Sequence, residues 1–600
     1  MRNKILEPLK FYDQTGKVEH DKNAREYFEK LVSASNINVE ENRKSAAEYR
    51  KQLHKAECVN KKVKKLRALK GFLIFLIVAG LLTAILGGIL ASGIARIILP
   101  CAGVIIAIIS LLIILLKIRK TLKEALILYE QEMKKANNLL AIAEGQMAPL
   151  NALFTERDTF NVIEKTLPDI VKFSPDYSME LDDDFRKNYD FIDNIYENRS
   201  VVDTISGRLL KNPFVFYRYV DHRMGTKNYH GTLVISYYVT VRDSKGNYRR
   251  ERRTQTLHAT VTKPFPYYGY HTALGYGHQC SPDLNFSRTA TDVEELSDKQ
   301  VERRVKKGEK KLRKLSEKSL ENGKQFTEMT NSEFDVLFGA TDRDHEVQFR
   351  VLFSPMAQIN MVDLLRSPVG YGDDFNFIKK GRFNCIESEH AQRWGMDASP
   401  ANYYSYDVDI ARENFVNFNN AYFKSVFFDF APLLTIPAYH QEPSEVFEPI
   451  KADKANYTYY EHEALANAVG ARYFAHQASV TEVILKSRYV YSRNDADLVE
   501  ITAHSYAAEN RVDFVPVLGG DGRIHSVPVP WVEYIPVSKR TNLAVKKLGH
   551  LNKDFREKVK VTGVGDALFN TPNAYFHGLF AKIIDGNDVS PISSILDRIK

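Results

Sequence analysis

The sequence predicts an α+β protein: a two-helix transmembrane hairpin and a helical coiled-coil stalk, then a mixed cytosolic body ending in a β-meander. Three observations predict it. Residues 71–116 are almost wholly apolar, with Arg96 their only charge. A seven-residue apolar repeat follows that run. Beyond residue 158, segments of strand period and segments of helix period are mixed.

At about 20 residues per crossing, the apolar run suffices for two spans. They are placed near 72–91 and 97–116, with Ser92-Gly93-Ile94-Ala95-Arg96 as the turn. Gly93 and Pro100 suit a reversal, and Arg96 can snorkel to headgroups there. Gly80, Gly87 and Gly88 on the first span allow close approach of the second. Lys61, Lys62, Lys64, Lys65, Arg67 and Lys70 precede the pair; Lys117, Arg119, Lys120 and Lys123 follow it. Basic residues at span ends stay inside. The expectation is a multi-pass protein of the cell membrane with both termini cytoplasmic. A cleaved signal peptide would not place about 70 polar residues ahead of its apolar core.

The repeat runs through Leu122, Leu126, Tyr129, Met133, Ala136, Leu140, Ala143, Met147 and Leu150. Steps of four and three make an a/d seam. Ala46, Tyr49, Leu53, Ala56, Asn60 and Val63 repeat it more thinly before the first span. Together they predict an intramolecular antiparallel coiled coil, a stalk of roughly 40 Å at 1.5 Å per residue. Self-association or a protein partner at this seam is the rival.

Charge and cysteine narrow the classes. Of the net +8, all lies in residues 1–70, which hold 18 basic and 10 acidic side chains; the remainder is neutral. A neutral bulk argues against a dedicated nucleic-acid binder. Cys58, Cys101, Cys280 and Cys385 are too scattered for a disulfide framework and fit a reducing compartment.

The segments read as a cytosolic N-terminal helical piece (1–70), the hairpin (71–116), the stalk (117–165), a β-rich α+β region (166–290), a charged helix (291–325), a second α+β region (326–480) and the C-terminal β-meander (481–600). In the β-rich region, strands are expected at 232–241 and 254–262 around the turn Ser244-Lys245-Gly246-Asn247, with Arg249, Arg250, Arg252 and Arg253 as a basic tip. The charged helix carries Arg303, Arg304, Lys306, Lys307, Lys310, Lys311, Arg313 and Lys314, with an interruption expected at Gly308. Residues 345–353 read as extended. Ser354-Pro355 opens a helix over 356–365, and further helices are expected at 410–430 and 461–477. The meander is placed at 483–491, 498–506, 511–518 and 523–529, its last two strands joined by Gly519-Gly520-Asp521-Gly522. Pro516, Pro528, Pro530 and Pro536 push these strands toward edges or bulges.

Phe334-x-x-x-Phe338, Asp344, Glu346 and Leu352-Phe353-Ser354-Pro355-Met356 resemble the core of a bacterial membrane-hairpin family known only as a domain of unknown function. The match covers about a tenth of the chain, and Val347 stands where the family has a small residue. The resemblance implies a membrane location and an N-terminal hairpin before a cytosolic α+β region, with no known activity.

No P-loop, dinucleotide fingerprint, nucleophile elbow or complete HExxH is present. His462-Glu463 begins a zincin pattern whose second histidine is missing. Thr562-Gly563-Val564-Gly565-Asp566 reads as a turn. One segment invites a binding role: Tyr268, Tyr270, His271, His278 and Cys280, read as an irregular loop after Pro264 and Pro266. Histidine and thiolate are zinc donors and tyrosines rim binding sites, but no fourth ligand is evident, so no metal, cofactor or catalytic residue is assigned. Tyr457, Tyr459, Tyr460, His462 and Glu463 read as packing at a helix start. The composite expectation is a membrane-tethered binding or scaffold protein. An enzyme site near His271 and His278, and contact with anionic lipid or nucleic acid through residues 303–314, stand as alternatives.

Overall fold

The computed structural model describes residues 5–90, 95–174, 177–191, 198–242, 248–323, 325–394, 397–441, 455–493, 495–547, 572–576 and 579–584. Of the described residues, 51% are helical and 31% are in strands. It divides into two compact units: one of Ala24–Glu156 and Ser399–Asn419, the other of Met1–Asn23, Arg157–Ala398 and Asn420–Lys600. The four segments read separately from residue 166 onward fall in one of these units, except for Ser399–Asn419, which belong to the other.

In the first unit, the helices Val39–Leu90 and Ala95–Ile113 are long and apolar. A π-helical turn, Ile114–Ile118, carries the second into Arg119–Asn151. Contacts run in opposite senses along the two: Leu73 clusters with Ile114 and Ile118, and Gln52 Nε2 donates to Glu132 Oε2 at 2.6 Å. A methyl group on Gly80 would stand 2.6 Å from the Gly103 carbonyl oxygen, so both glycines serve close backbone approach. Gly103 was not singled out by sequence. The turn at Ser92–Ile94 and the side chains of Gly87, Gly88 and Arg96 lie outside the described residues.

Ala46, Ala56, Val63, Ala136, Ala143, Met147 and Leu150 are buried, and the other seam positions half-buried. Asn42 ties this pair to residues 399–419. Its Nδ2 donates to the Tyr406 carbonyl at 3.0 Å, and its Oδ1 accepts from the Val408 N–H at 3.0 Å. Arg43 forks onto Asp409 with both bonds at 2.9 Å.

The second unit holds two antiparallel sheets. The strands are β1 Val171–Ser174, β2 Arg199–Leu209, β3 Asn212–Arg242, β4 Tyr248–Gly277, β5 Asn285–Arg288, β6 Phe375–Lys380, β7 Phe383–Ser388, β8 Ile484–Arg493, β9 Ala496–Leu518, β10 Ile524–Lys547, β11 Asn573–Phe576 and β12 Leu579–Ile584. The first sheet has order β1-β2-β3-β4-β7-β6-β5 and the second β11-β12-β10-β9-β8. The helix Tyr459–Phe474 gives Leu465, Ala466 and Val469 to a core with Leu485, Val499, Ile501 and Val545. The same helix gives Tyr460 and Ala464 to a second core with Val201, Val215 and Phe185.

Several expectations change. The strands flanking residues 243–247, which lie outside the described residues, are about three times as long as the alternation suggested. Residues 267–277 are strand, not loop: Gly275 and Gly277 leave room for the Phe383 and Tyr189 rings, which a methyl group would meet at 2.9 and 2.6 Å. The expected strands 498–506 and 511–518 are one strand, β9, and the Gly519–Gly522 turn closes it onto β10. The helix Asp298–Glu321 is uninterrupted, because Gly308 gives space to Val336 of the helix Ser332–Phe338. Residues 345–353 are not extended but hold the helix Glu346–Leu352, which buries Phe349 and Leu352 and leaves Val347 75% exposed. The helix opened by Ser354-Pro355 stands as Pro355–Arg366. Residues 562–566 lie outside the described residues.

The resembling motif is a packing unit. Phe334, Phe338, Phe349 and Phe353 form a ring cluster with centroids as close as 4.7 Å. Asp344 receives the Asn285 N–H at 2.8 Å. At its centre Arg343, 3% exposed, pairs with Asp335 at 2.6 Å and Glu346 at 2.8 Å. Arg343→Met leaves buried Asp335 without its cation and Glu346 with Arg350 alone, 3.3 Å away, and the expected loss is roughly 3–5 kcal/mol of unfolding free energy. Adding Asp335→Asn and Glu346→Gln should recover much of it. An unchanged denaturation midpoint for the single variant would show that the pair is not structural.

Candidate functional site

The site begins with an alternation in β3. Phe214 and Phe216 turn to one face and pack against Phe430. Tyr217 and Tyr219 turn to the other, toward the helix Tyr459–Phe474. Two strands away, β7 presents Phe383, Cys385 and Glu387 on that same side; the register sets Gly275 opposite Cys385 and Gly277 opposite Phe383. Small residues on β4 thus leave a floor between two walls of larger ones. The result is a cleft of about 830 Å³, also lined by Arg199, Val201, Lys380, Tyr459, Tyr460, Glu463 and Lys486. That volume lies in the range of small-molecule sites.

Its charged groups are held by the fold. Glu463, 1% exposed, pairs with Lys486 at 2.6 Å and accepts the Val201 N–H at 2.9 Å. Lys486 Nζ also donates to the Arg199 carbonyl at 3.0 Å. The Arg199 guanidinium lies over the Tyr219 ring, 4.7 Å from its centroid. Tyr219 O–H points to Glu387 at 3.4 Å, and the Tyr217 hydroxyl lies 3.7 Å from Cys385 Sγ.

Burial sets the ionisation. It pushes the Cys385 thiol up to about 12, with Glu387 adding to the effect. It raises Tyr217 and Tyr219 above the usual phenol range, and it raises Glu463 against the opposing pull of Lys486. All four are pushed toward their protonated forms, so Cys385 is not an activated nucleophile.

The residues chosen from sequence do not converge. Tyr268 lies against His222, 5.1 Å between centroids, and its hydroxyl lies 3.1 Å from Thr481 Oγ1. Tyr270 sits under Arg218. His271 Nε2 is 3.2 Å from Asp221 Oδ1, and its ring stacks on Tyr219 at 5.4 Å, which makes it a neighbour of the cleft. His278 is buried beside Tyr439, pushed down to about 4 by burial and then Lys379, and accepts the Cys280 N–H at 3.0 Å. Positions seven apart on an extended segment leave His271 and His278 far apart. Among the described residues no three His, Cys, Asp or Glu side chains are grouped to hold a metal ion.

On the helix Asp298–Glu321, Arg303, Lys306, Lys307, Lys310, Lys311, Arg313 and Lys314 are exposed. Arg304 is half-buried and pairs with Asp292 at 2.9 Å, and Arg313 approaches Glu328 at 3.9 Å. Lys61, Lys62, Lys64, Lys65, Arg67, Lys70, Lys117, Arg119 and Lys120 are likewise exposed. The cleft residues Arg199, Tyr217, Tyr219, Cys385, Glu387 and Lys486 were missed by sequence. The Phe-Val-Phe-Tyr-Arg-Tyr alternation of 214–219 was the available signal. Tyr459, Tyr460 and Glu463 line the cleft as well as packing at the helix start. The chain matches no family model, no curated protein and no solved structure.

On the opposite face of β7 lies a second titratable cluster. His390 Nδ1 is 2.6 Å from Asp374 Oδ2, and its Nε2 is 3.4 Å from Asp429 Oδ1. Ser388 donates to Asp429, and Tyr371 stacks on His390 at 3.9 Å. Burial raises Asp429 from 3.8 to about 6. His390 lies above its ordinary 6.5: burial alone would lower it, and the two carboxylates outweigh that. Both groups hold protons more tightly in the folded chain. Their contribution is therefore full below 3.8 and 6.5 respectively, and is lost as pH rises through the folded values. Unfolding midpoints should fall between pH 4 and 6, and Asp429→Asn should flatten that part of the profile. An identical profile for the variant would refute the assignment.

Proposed function

We propose that the chain is a membrane-tethered binding protein. The two apolar helices cross the lipid as a hairpin, the seam continues them as an antiparallel coiled-coil stalk, and the β-rich body offers its cleft in the cytosol. One observation carries the tether: only 11% and 17% of the two apolar windows is buried. Phe75 is 64% exposed, Ile97 70% and Leu116 75%. A core helix of a soluble protein would cover such side chains, and water penalises a continuous apolar surface of this extent. Lipid removes that penalty. The basic residues at both ends support a cytosolic placement of the flanks, and the resemblance around residues 334–356 is to a family of the same location.

Binding, rather than catalysis, is supported by the cleft's ionisation. Its thiol and phenols stay protonated, and Glu463 is engaged by Lys486 and a backbone N–H. None of these four is poised as a nucleophile. Tyrosine rings, a carboxylate and neighbouring cations suit a ligand with an apolar or aromatic body and a polar end.

Protease added outside intact cells should leave the body whole and cut it after permeabilisation; digestion from outside would overturn the tether. Native mass spectrometry of the full chain in nanodiscs should show a bound small molecule. Tyr219→Ala and Glu387→Gln should each weaken its retention by about tenfold, the loss of one buried contact of 1.4 kcal/mol. Retention unchanged in both variants would remove the cleft as its site.

A second reading rests on the exposed basic face of Asp298–Glu321, which suits an anionic surface. Changing Lys306, Lys307, Lys310 and Lys311 to Gln should weaken binding to anionic vesicles or nucleic acid and flatten its salt dependence. Binding indifferent to both ends that reading.

A further inference from the structure

The β3–β4 and β9–β10 ribbons run beyond their parent sheets. β2 pairs with β3 no further than Asp221, and β7 with β4 only over Leu274–Gly277. β8 pairs with β9 no further than His504, and β12 with β10 only over Asn542–Lys547. Past those points the two ribbons pack on each other, burying Leu257, Ala259, Val527 and Val529 between them. The Gly520 N–H donates to Gln255 Oε1 at 2.8 Å, so the β9–β10 turn lies about seven residues, roughly 23 Å, short of the last described β3–β4 pair. Both ribbons therefore end at the same side.

That end is apolar on two opposite faces. The outer face of β9–β10 exposes Val512, Phe514, Leu518 and Ile524 at 50, 67, 65 and 71%. The outer face of β3–β4 exposes Val234, Tyr238 and Tyr248 at 62, 69 and 73%. Arg252 stands across from Tyr238 in the ladder, and Arg242 across from Tyr248. Arg249, Arg250, Arg253 and Arg523 are exposed around them.

We propose that this end of the paired ribbons docks on an anionic bilayer surface. A rigid partner covers one face at a time, whereas a fluid interface covers both together. Arginine and tyrosine are suited to headgroup depth, with Phe, Leu and Ile reaching the acyl boundary. Strand addition is disfavoured. Pro264, Pro266, Pro516, Pro528, Pro530 and Pro536 all occupy even-numbered positions paired with even-numbered partners. A proline fits only where no ladder bond is donated, so the missing N–H groups fall on the open edges of β4, β9 and β10. The docking surface is separate from the cleft and does not depend on its occupancy.

The test uses the full chain in phosphatidylcholine nanodiscs, mixed with vesicles of phosphatidylcholine alone or with about one-third phosphatidylserine. Flotation should show capture of the anionic vesicles about tenfold above the neutral ones. Leu518→Asp with Ile524→Asp should reduce that capture about tenfold. Arg249→Gln, Arg250→Gln, Arg252→Gln and Arg253→Gln together should reduce it similarly and flatten its salt dependence. Neutralising Lys306, Lys307, Lys310 and Lys311 should leave it in place, and unfolding midpoints should stay unchanged throughout because every altered side chain is exposed. Equal capture of neutral vesicles, capture surviving both ribbon variants, or ribbon-dependent binding of an oligonucleotide without vesicle capture would each overturn the proposal.

Discussion

Glu463 is the carboxylate on which the arrangement of the β-rich unit depends. The helix that carries it is the shared layer between two sheets, with one side in the Leu485–Val499 core and the other in the Val201–Val215 core. Apolar packing alone sets the distance but not the register, since a helix can slide along a greasy surface at small cost. Glu463 fixes the register by taking the Val201 N–H and the Lys486 ammonium, one from each sheet. Asn467, one turn on, bonds Ser200 and Val201 at 2.8 Å. Removing a partner from such a pair costs far more than the pair adds, because the remaining charge stays buried. That asymmetry makes it a device of specificity.

The two units meet the hydrophobic effect differently. In the β-rich unit, Phe and Tyr close cores between sheets and helices, and the charges within are paired and bonded. In the helical unit, most large apolar side chains of the two long helices point outward, while Gly80, Gly103 and Ala107 face inward. Gly80 and Gly103 bring backbones together where larger residues would hold them apart. Small residues inside with large apolar ones outside is the reverse of a soluble bundle and the pattern expected of helices solvated by lipid.

How much was legible follows from the range of each signal. The apolar run, its basic flanks and the seam are local and periodic, and positions from Ala46 to Leu150 marked as seam are buried or half-buried. Residues 345–353 misled because Val347, Phe349, Val351 and Phe353 alternate like a strand. The helix obeys a competing pattern, burying Phe349, Leu352 and Phe353 while exposing Val347 and Val351. Glycine and proline at 264–277 read as loop punctuation, yet the glycines serve close ring packing and the prolines an unpaired edge. The cleft was beyond reach for a different reason. Its members come from positions 199, 217–219, 383–387, 463 and 486, and no local pattern links side chains nearly 300 residues apart.

A single strand serves both the cleft and the free ribbon. Residues 214–221 of β3 lie inside the sheet and supply Tyr217 and Tyr219; residues 222–242 leave it as ribbon. The change falls beside the one irregularity in the β2–β3 ladder, where the register shifts between Val201 and Asp203, opposite Tyr219 and Arg218. An extra residue in one strand turns that strand locally and re-aims its side chains. Here it allows Arg199 and Val201 to line the cleft beside Tyr219, with Arg199 over the Tyr219 ring. The bulge marks the point on β3 where cleft and ribbon adjoin. They share a continuous hydrogen-bonded ladder, and the place where that ladder is interrupted is also where the cleft is built. Continuity alone is not coupling, which requires an element with two arrangements that both sites bias. Within residues 214–221 a one-residue slip would turn Phe214 and Phe216 away from Phe430, so the sheet part of β3 is held in one register.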